Sequence, residues 1–283
     1  MASKTKQPKS SRIIELDALR ALAAINLMLF HYTHVYSVKY GYSSTLGFEF
    51  PWGKYGVQLF FMLSGLVNAM TILKKQDAGA FLTSRCLRIL PCYYIVIVLN
   101  LVLLFLMPLS ATAQWSWSQI AANLTLMPNL LGYECLEPVL WTLQVEVLFY
   151  GMLILLFAKG WLNRPLPTVV IGLMICVAGS MGVDAMGQQL PPESRVLVYA
   201  QFARQLFFLD YFPLFAVGIL LHDIWRRIHG KAPELPAVEN TYAMAGSGLG
   251  ILASLMAFHC IDRHGHNPVV SIGLTALLTL ALF

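Results

Sequence analysis

The sequence predicts an all-α fold, a polytopic transmembrane helix bundle of about eight spans forming a single domain over residues 1–283. Three observations carry this. Hydrophobic residues make up 58% of the chain and charged residues only 12%, about half the charged share of a soluble domain. Mean hydropathy is +0.66. The apolar residues also gather into stretches of the length a bilayer demands, about 20 residues each, because a backbone in lipid must satisfy its polar groups within its own segment.

The stretches run near 14–36, 55–73, 90–107, 141–158, 167–186, 205–222, 242–260 and 268–283. Between the third and fourth lies 108–140, too long for a tight turn. Its part from Trp115 to Leu131 is moderately apolar and suits the membrane interface, where tryptophan is common. Lys and Arg set the orientation. With the N-terminus inside, thirteen of the 19 fall on inner segments and five on outer ones, while Arg20 lies within the first span. The expectation is therefore a multi-pass protein of the cell (inner) membrane with a cytoplasmic N-terminus. The basic stretch Met1 to Arg12 reads as a cytoplasmic tail, not a cleaved signal peptide. The last apolar run reaches Phe283 with no polar tail, so a C-terminally truncated bundle and an unusually short one both fit.

Composition also narrows the function. The basic residues sit in short loops between apolar spans, which argues against nucleic-acid binding. The five cysteines show no metal-type spacing, and no metal site is expected. Cys135 and Cys260 would need a shared outer location to form a bridge.

Ionisable residues inside apolar spans cost about 2.5–3.5 kcal/mol each, so they mark interior, functional positions. Arg20 and His31 share the first span eleven residues apart, a spacing that returns to nearly the same helix face after a rise of about 16 Å. His34 extends that face outward. Counted from the expected span boundaries, His31 and Glu146 both reach the outer third of the bilayer, where an imidazole and a carboxylate suit acid/base work. Arg85 and Arg88, three apart on the inner side, present two guanidinium forks suited to phosphate. The plainer readings are a packing histidine, a structural ion pair, a snorkelling Arg20 and an ordinary positive-inside loop.

Taken together, these features resemble acyltransferase family 3, a family of integral membrane O-acyltransferases. Glu15-Leu16-Asp17-Ala18-Leu19-Arg20 followed by His31 resembles the opening Arg-x10-His helix. Gly56 to Gly65 is similar to the second helix. Arg85-x-x-Arg88 before Ile89-Leu90-Pro91 resembles the cytoplasmic Arg-x-x-Arg motif, and Trp141-Thr142-Leu143-Gln144-Val145-Glu146 resembles the Trp-Ser-Leu-x-x-Glu element, with Thr142 in place of serine. Order and spacing agree over about 12–160. Further on, Phe212 to Gly218 resembles a later helix. Such proteins usually have about ten spans, more than this chain shows.

The resemblance implies transfer of an acyl group, commonly acetyl, from cytoplasmic acyl-CoA as co-substrate to a hydroxyl of a carbohydrate or related acceptor, with no tightly bound cofactor. On this expectation Arg85, Arg88 and Arg20 hold the CoA phosphates. His31 is the catalytic base or an acyl carrier, and Glu146 orients its ring. Ser64-Gly65 is expected to serve close helix packing. Asp17 can pair with Arg20, and Asp210 and Tyr211 are candidates for the acceptor cavity. Two other classes share some of these features: a proton-coupled transporter, which also buries His and Glu near the midplane, and a non-enzymatic membrane scaffold.

Overall fold

A computed structural model describes residues 14–41, 48–106, 115–262 and 265–283. The basic N-terminal tail and Arg263, both used in the orientation argument, lie outside the described residues. Among the described residues the regular structure is all helical, with no strand.

The first apolar stretch forms one rod. It starts as α1 (Ile14–Leu29), widens into a π-helical segment (Phe30–Val35) and finishes as α2 (Tyr36–Tyr40). A 3-10 turn, Pro51–Tyr55, leads into α3 (Gly56–Lys75), followed by α4 (Ala78–Leu106). The 115–140 region contributes the short α5 (Trp117–Leu124). Then come α6 (Trp141–Ala158), α7 (Pro165–Gln189), α8 (Arg195–Leu206), α9 (Phe212–Ile228), α10 (Ala237–Ile261) and α11 (Pro268–Leu282). Among the described residues, five units are long and apolar enough to cross a membrane: Pro51–Lys75, Ala78–Leu106, Pro138–Ala158, Pro165–Gln189 and Ala237–Ile261. The outward side chains of α4, such as Ile95, Leu99, Leu103 and Phe105, are exposed from the bundle, as suits a helix whose solvent is lipid.

Two expectations need correction, and the state of two cysteines is settled. The Arg85-x-x-Arg88 unit, expected as a helical turn just before the third span, lies within that span's own helix α4, which begins twelve residues earlier than its apolar run. Asp77 explains the early start, because its carboxylate accepts from the amides of Gly79 (2.8 Å) and Ala80 (3.1 Å) and so caps the helix. The sixth stretch, 205–222, is not one span. It breaks at residues 207–211, where Phe208 has φ +39°, before Pro213 opens α9. There Arg204 on α8 is held by Asp184 of α7 and by Asp210, both at 2.8 Å. Asp210 is thus committed to an ion pair, and Tyr211 packs on Phe61 and Trp141. Finally, Cys135 and Cys260 are both free. Cys135 is buried, with its Sγ 3.6 Å from the Asn129 side-chain oxygen, and burial pushes its thiol above the usual range.

The bundle is organised on α3. Glycine lets its backbone touch α9 directly: a Cβ on Gly65 would lie 2.2 Å from the Phe215 carbonyl oxygen, and one on Gly218 would lie 2.0 Å from that of Met62. Small residues allow such close approach between membrane helices. Phe215 then stacks on Phe149 of α6, with ring centroids 4.1 Å apart. Gly56 packs on α1 in the same way, since a Cβ there would lie 2.8 Å from the Ala23 carbonyl oxygen. On the α11 side, Ser271 donates to the Gln58 side chain at 2.8 Å. At the far end of α9, Arg226 and Arg227 share the buried Asp223 at 2.9 Å each, and Ser247 of α10 donates to the same carboxylate.

This packing yields a first prediction. Gly218→Val drives a side chain into the α3 backbone, which cannot rotate away, and should cost about 1–3 kcal/mol or more. A sharp fall in the melting temperature in detergent is expected. Gly273→Ala, where an added Cβ meets nothing within 4 Å, should leave that temperature nearly unchanged.

Candidate active site

One face of α3 carries Val57, Phe61, Ser64, Asn68 and Thr71, at intervals of three or four residues that keep them on one stripe. Val57, Phe61, Ser64 and Asn68 border a cavity of about 930 Å³ shared with α1, α4 and α6. All five residues expected to form the site, Arg20, His31, Arg85, Arg88 and Glu146, border this cavity.

The guanidinium groups gather at one end. Arg20 pairs with Asp17 at 3.5 Å, as the i,i+3 spacing predicted. Arg88 is exposed. Arg85 is only 7% exposed. It donates to the Thr71 hydroxyl at 2.7 Å and lies 5.3 Å from the centre of the Phe81 ring. Its Nε has no hydrogen-bond partner, and among the described residues no carboxylate comes within ion-pair distance of it. The other buried arginines differ: Arg204 has Asp184 and Asp210, while Arg226 and Arg227 have Asp223. A buried cation without an acid beside it is costly unless a ligand supplies the anion.

Glu146 stands at this same end, close enough to bear electrostatically on both Arg20 and Arg85. Its Oε1 accepts from Ser64 at 2.9 Å and from Tyr150 at 2.5 Å. Asn68 donates to the Ser64 oxygen at 2.8 Å, which leaves the Ser64 proton for the carboxylate. Both bonds to Glu146 fall on Oε1, and its Oε2 has no hydrogen-bond partner among the described residues.

His31 occupies the other end. Its Nδ1 meets the Leu27 carbonyl oxygen at 2.8 Å. A carbonyl only accepts, so this contact places a proton on Nδ1 and leaves the lone pair of the neutral ring on Nε2. His31 lies in the π-helical segment, a distortion found frequently at functional sites. His34 turns instead to Glu49, with its Nδ1 3.2 Å from the carboxylate, and does not extend the cavity face. Hydrogen bonds from His34 and Ser37 hold the Glu49 carboxyl below its usual range.

The expectation that His31 and Glu146 lie level with each other is not met. Gly56 packs on the Ala23–Leu27 turn of an antiparallel α1. From that level Ser64, the partner of Glu146, lies about 12 Å along α3 in one direction, and His31 lies about 6–12 Å along α1 in the other. The two groups are thus separated by roughly 20 Å of helix axis. The depth count assumed that α6 starts at the membrane boundary. Glu137, Val139 and Leu140, just before α6, already border the cavity. Glu146 therefore does not orient the imidazole; the Leu27 carbonyl does.

In the sequence Tyr150 stands out only as a neighbour of the Glu146 element, Asn68 and Thr71 carry no assigned role, and Ser64 is assigned to packing. Gly65 does pack, but Ser64 binds Glu146. Polar residues recurring at 64, 68 and 71 in an apolar helix were the available signal. Among the described residues no group of three or more His, Cys, Asp or Glu could hold a metal ion.

Comparison with known proteins agrees with this architecture. Nodulation protein 10 of Rhizobium leguminosarum bv. viciae is 24% identical over 231 residues, covering 75% of this chain and 60% of that protein. The chain therefore aligns with less than two thirds of that relative's length. No solved structure matches. Residues 13–283 match the acyltransferase domain called Acyl_transf_3. The chain belongs to that family, and its long apolar helices are those of a multi-pass membrane protein.

Proposed function

We propose that this acyltransferase takes an acyl group, acetyl by preference, from acyl-CoA bound at the arginine end of the cavity. It passes that group to a hydroxyl of a carbohydrate or related acceptor at the His31 end. One observation carries the reading: buried Arg85, with no acid partner, shares a cavity with a histidine whose Nε2 is left basic. Arg85, Arg88 and Arg20 then hold the CoA phosphates, which supply the missing anion. The pantetheine arm runs along the cavity toward His31, about 16 Å of helix from Arg20.

His31 Nε2 removes the proton of the acceptor hydroxyl as that oxygen attacks the thioester carbonyl. The C–S bond breaks and CoA leaves as the thiolate, which the imidazolium can reprotonate. In a relay, the same Nε2 would attack the thioester first and carry the acyl group. Glu146 belongs with the donor. The excess of basic residues on one side supports a cytoplasmic donor end and N-terminus, in the cell (inner) membrane. A proton-coupled transporter would move substrate across sealed vesicles without acyl-CoA, and a buried Arg85 with no acid in ion-pair reach among the described residues favours an anionic donor over that reading.

Three outcomes test the proposal. His31→Ala should abolish acyl transfer while the protein still inserts and stays monodisperse; retained transfer would rule out both base and relay roles. Arg85→Met should lower radiolabelled acetyl-CoA binding by about tenfold or more, since hydrogen bonds to charged groups contribute roughly 1.5–3 kcal/mol. The same variant removes a buried cation that has no acid partner, so its ligand-free melting temperature should equal or exceed that of the parent.

A further inference from the structure

The polar face of α3 reaches both charged groups of the donor end. Thr71 accepts from Arg85 at 2.7 Å. Two turns along the same stripe, Ser64 donates to Glu146 at 2.9 Å, and Asn68 between them donates to Ser64 at 2.8 Å. Tyr150 meets Glu146 from its own helix. A single rigid helix therefore sets the distance from a guanidinium to a carboxylate, about 10 Å of helix rise between Thr71 and Ser64. Neither charged group is held directly by the other.

We propose that the Ser64–Asn68–Thr71 face of α3 positions a donor site of two parts, in which Thr71 aims Arg85 at the phosphates and Ser64 aims Glu146 at the pantetheine arm. This rests on the acyl-CoA reading above. A phosphate needs the Arg85 fork presented edge-on. The Thr71 bond on one terminal nitrogen and the Phe81 ring beside the guanidinium fix that presentation and leave Nε unspent. The arm of CoA carries amide N–H donors and needs acceptors in an otherwise apolar channel. Glu146 Oε2 is such an acceptor: Ser64 and Tyr150 both occupy Oε1, which turns the other oxygen free. Asn68, 2% exposed, has a side-chain oxygen with no partner at the same level. Thr71, Ser64 and Asn68 act through Arg85 and Glu146 and are positioning residues.

The test is equilibrium binding to the full chain in detergent with two probes, radiolabelled acetyl-CoA and the nucleotide half of CoA, which lacks pantetheine. Thr71→Val should weaken both about tenfold, and Thr71→Ser should restore both to within about twofold. Thr71→Val should add nothing in an Arg85→Ala background. Ser64→Ala should weaken acetyl-CoA several-fold, leave the nucleotide half within about twofold, and add nothing to Glu146→Gln. Equal loss of both probes in Ser64→Ala, or losses that add in full to Arg85→Ala and Glu146→Gln, would overturn the inference, because a generally loosened bundle behaves that way. Variants that bind acetyl-CoA like the parent would sink the inference alone. A parent chain that binds neither probe would sink the donor reading with it.

Discussion

The contact between the backbones of α3 and α9 is the constraint on which the site depends. Gly65 and Gly218 bring the two helices so close that neither position has room for a Cβ. In lipid no hydrophobic force drives helices together, so packing and polar contacts must do it. With α3 pressed to α9 at Gly65, the stripe through Val57, Phe61, Ser64 and Asn68 borders the space shared with α1, α4 and α6. The polar groups of α3 are buried beside it at a level where they meet Glu146 and Arg85.

Electrostatics then separates two kinds of buried arginine. Arg204, Arg226 and Arg227 are each closed off by aspartates from their own or neighbouring segments, and Leu162 and Asn163 add carbonyl acceptors to Arg226. These clusters join α7 to α8 and α9 to α10, a structural use of charge in which every guanidinium has its acid. Arg85 is as buried as they are but has a hydroxyl and a ring for company. A cation left open in a low-dielectric interior attracts an anion more strongly than one at a surface. The difference is legible only once partners are known, since all four residues look alike as Arg in an apolar chain.

The His31 end follows a different logic. A π-helical segment widens the first rod where the imidazole lies, and the ring is aimed by a carbonyl of its own helix rather than by an acid on another. Such an arrangement keeps Nε2 available without a permanent counter-charge. The imidazole and the guanidinium cluster sit at opposite ends of one cavity, a shape that suits a long ligand.

Much was legible in the residues themselves. Apolar runs of bilayer length specify a helical bundle because a backbone in lipid has few other ways to satisfy its hydrogen bonds. The Arg20 to His31 spacing, a local property of one helix, correctly put both on the cavity side. Local pairing likewise joined Asp17 to Arg20. What failed was depth and partnership between helices: the level of Glu146 against His31, the break at residues 207–211, and the role of Ser64. Helical periodicity sets which face a residue occupies, and a single chain segment carries that information. The axial offset of one helix against its neighbour is decided by where glycines allow backbones to meet, and only the tertiary structure contains it.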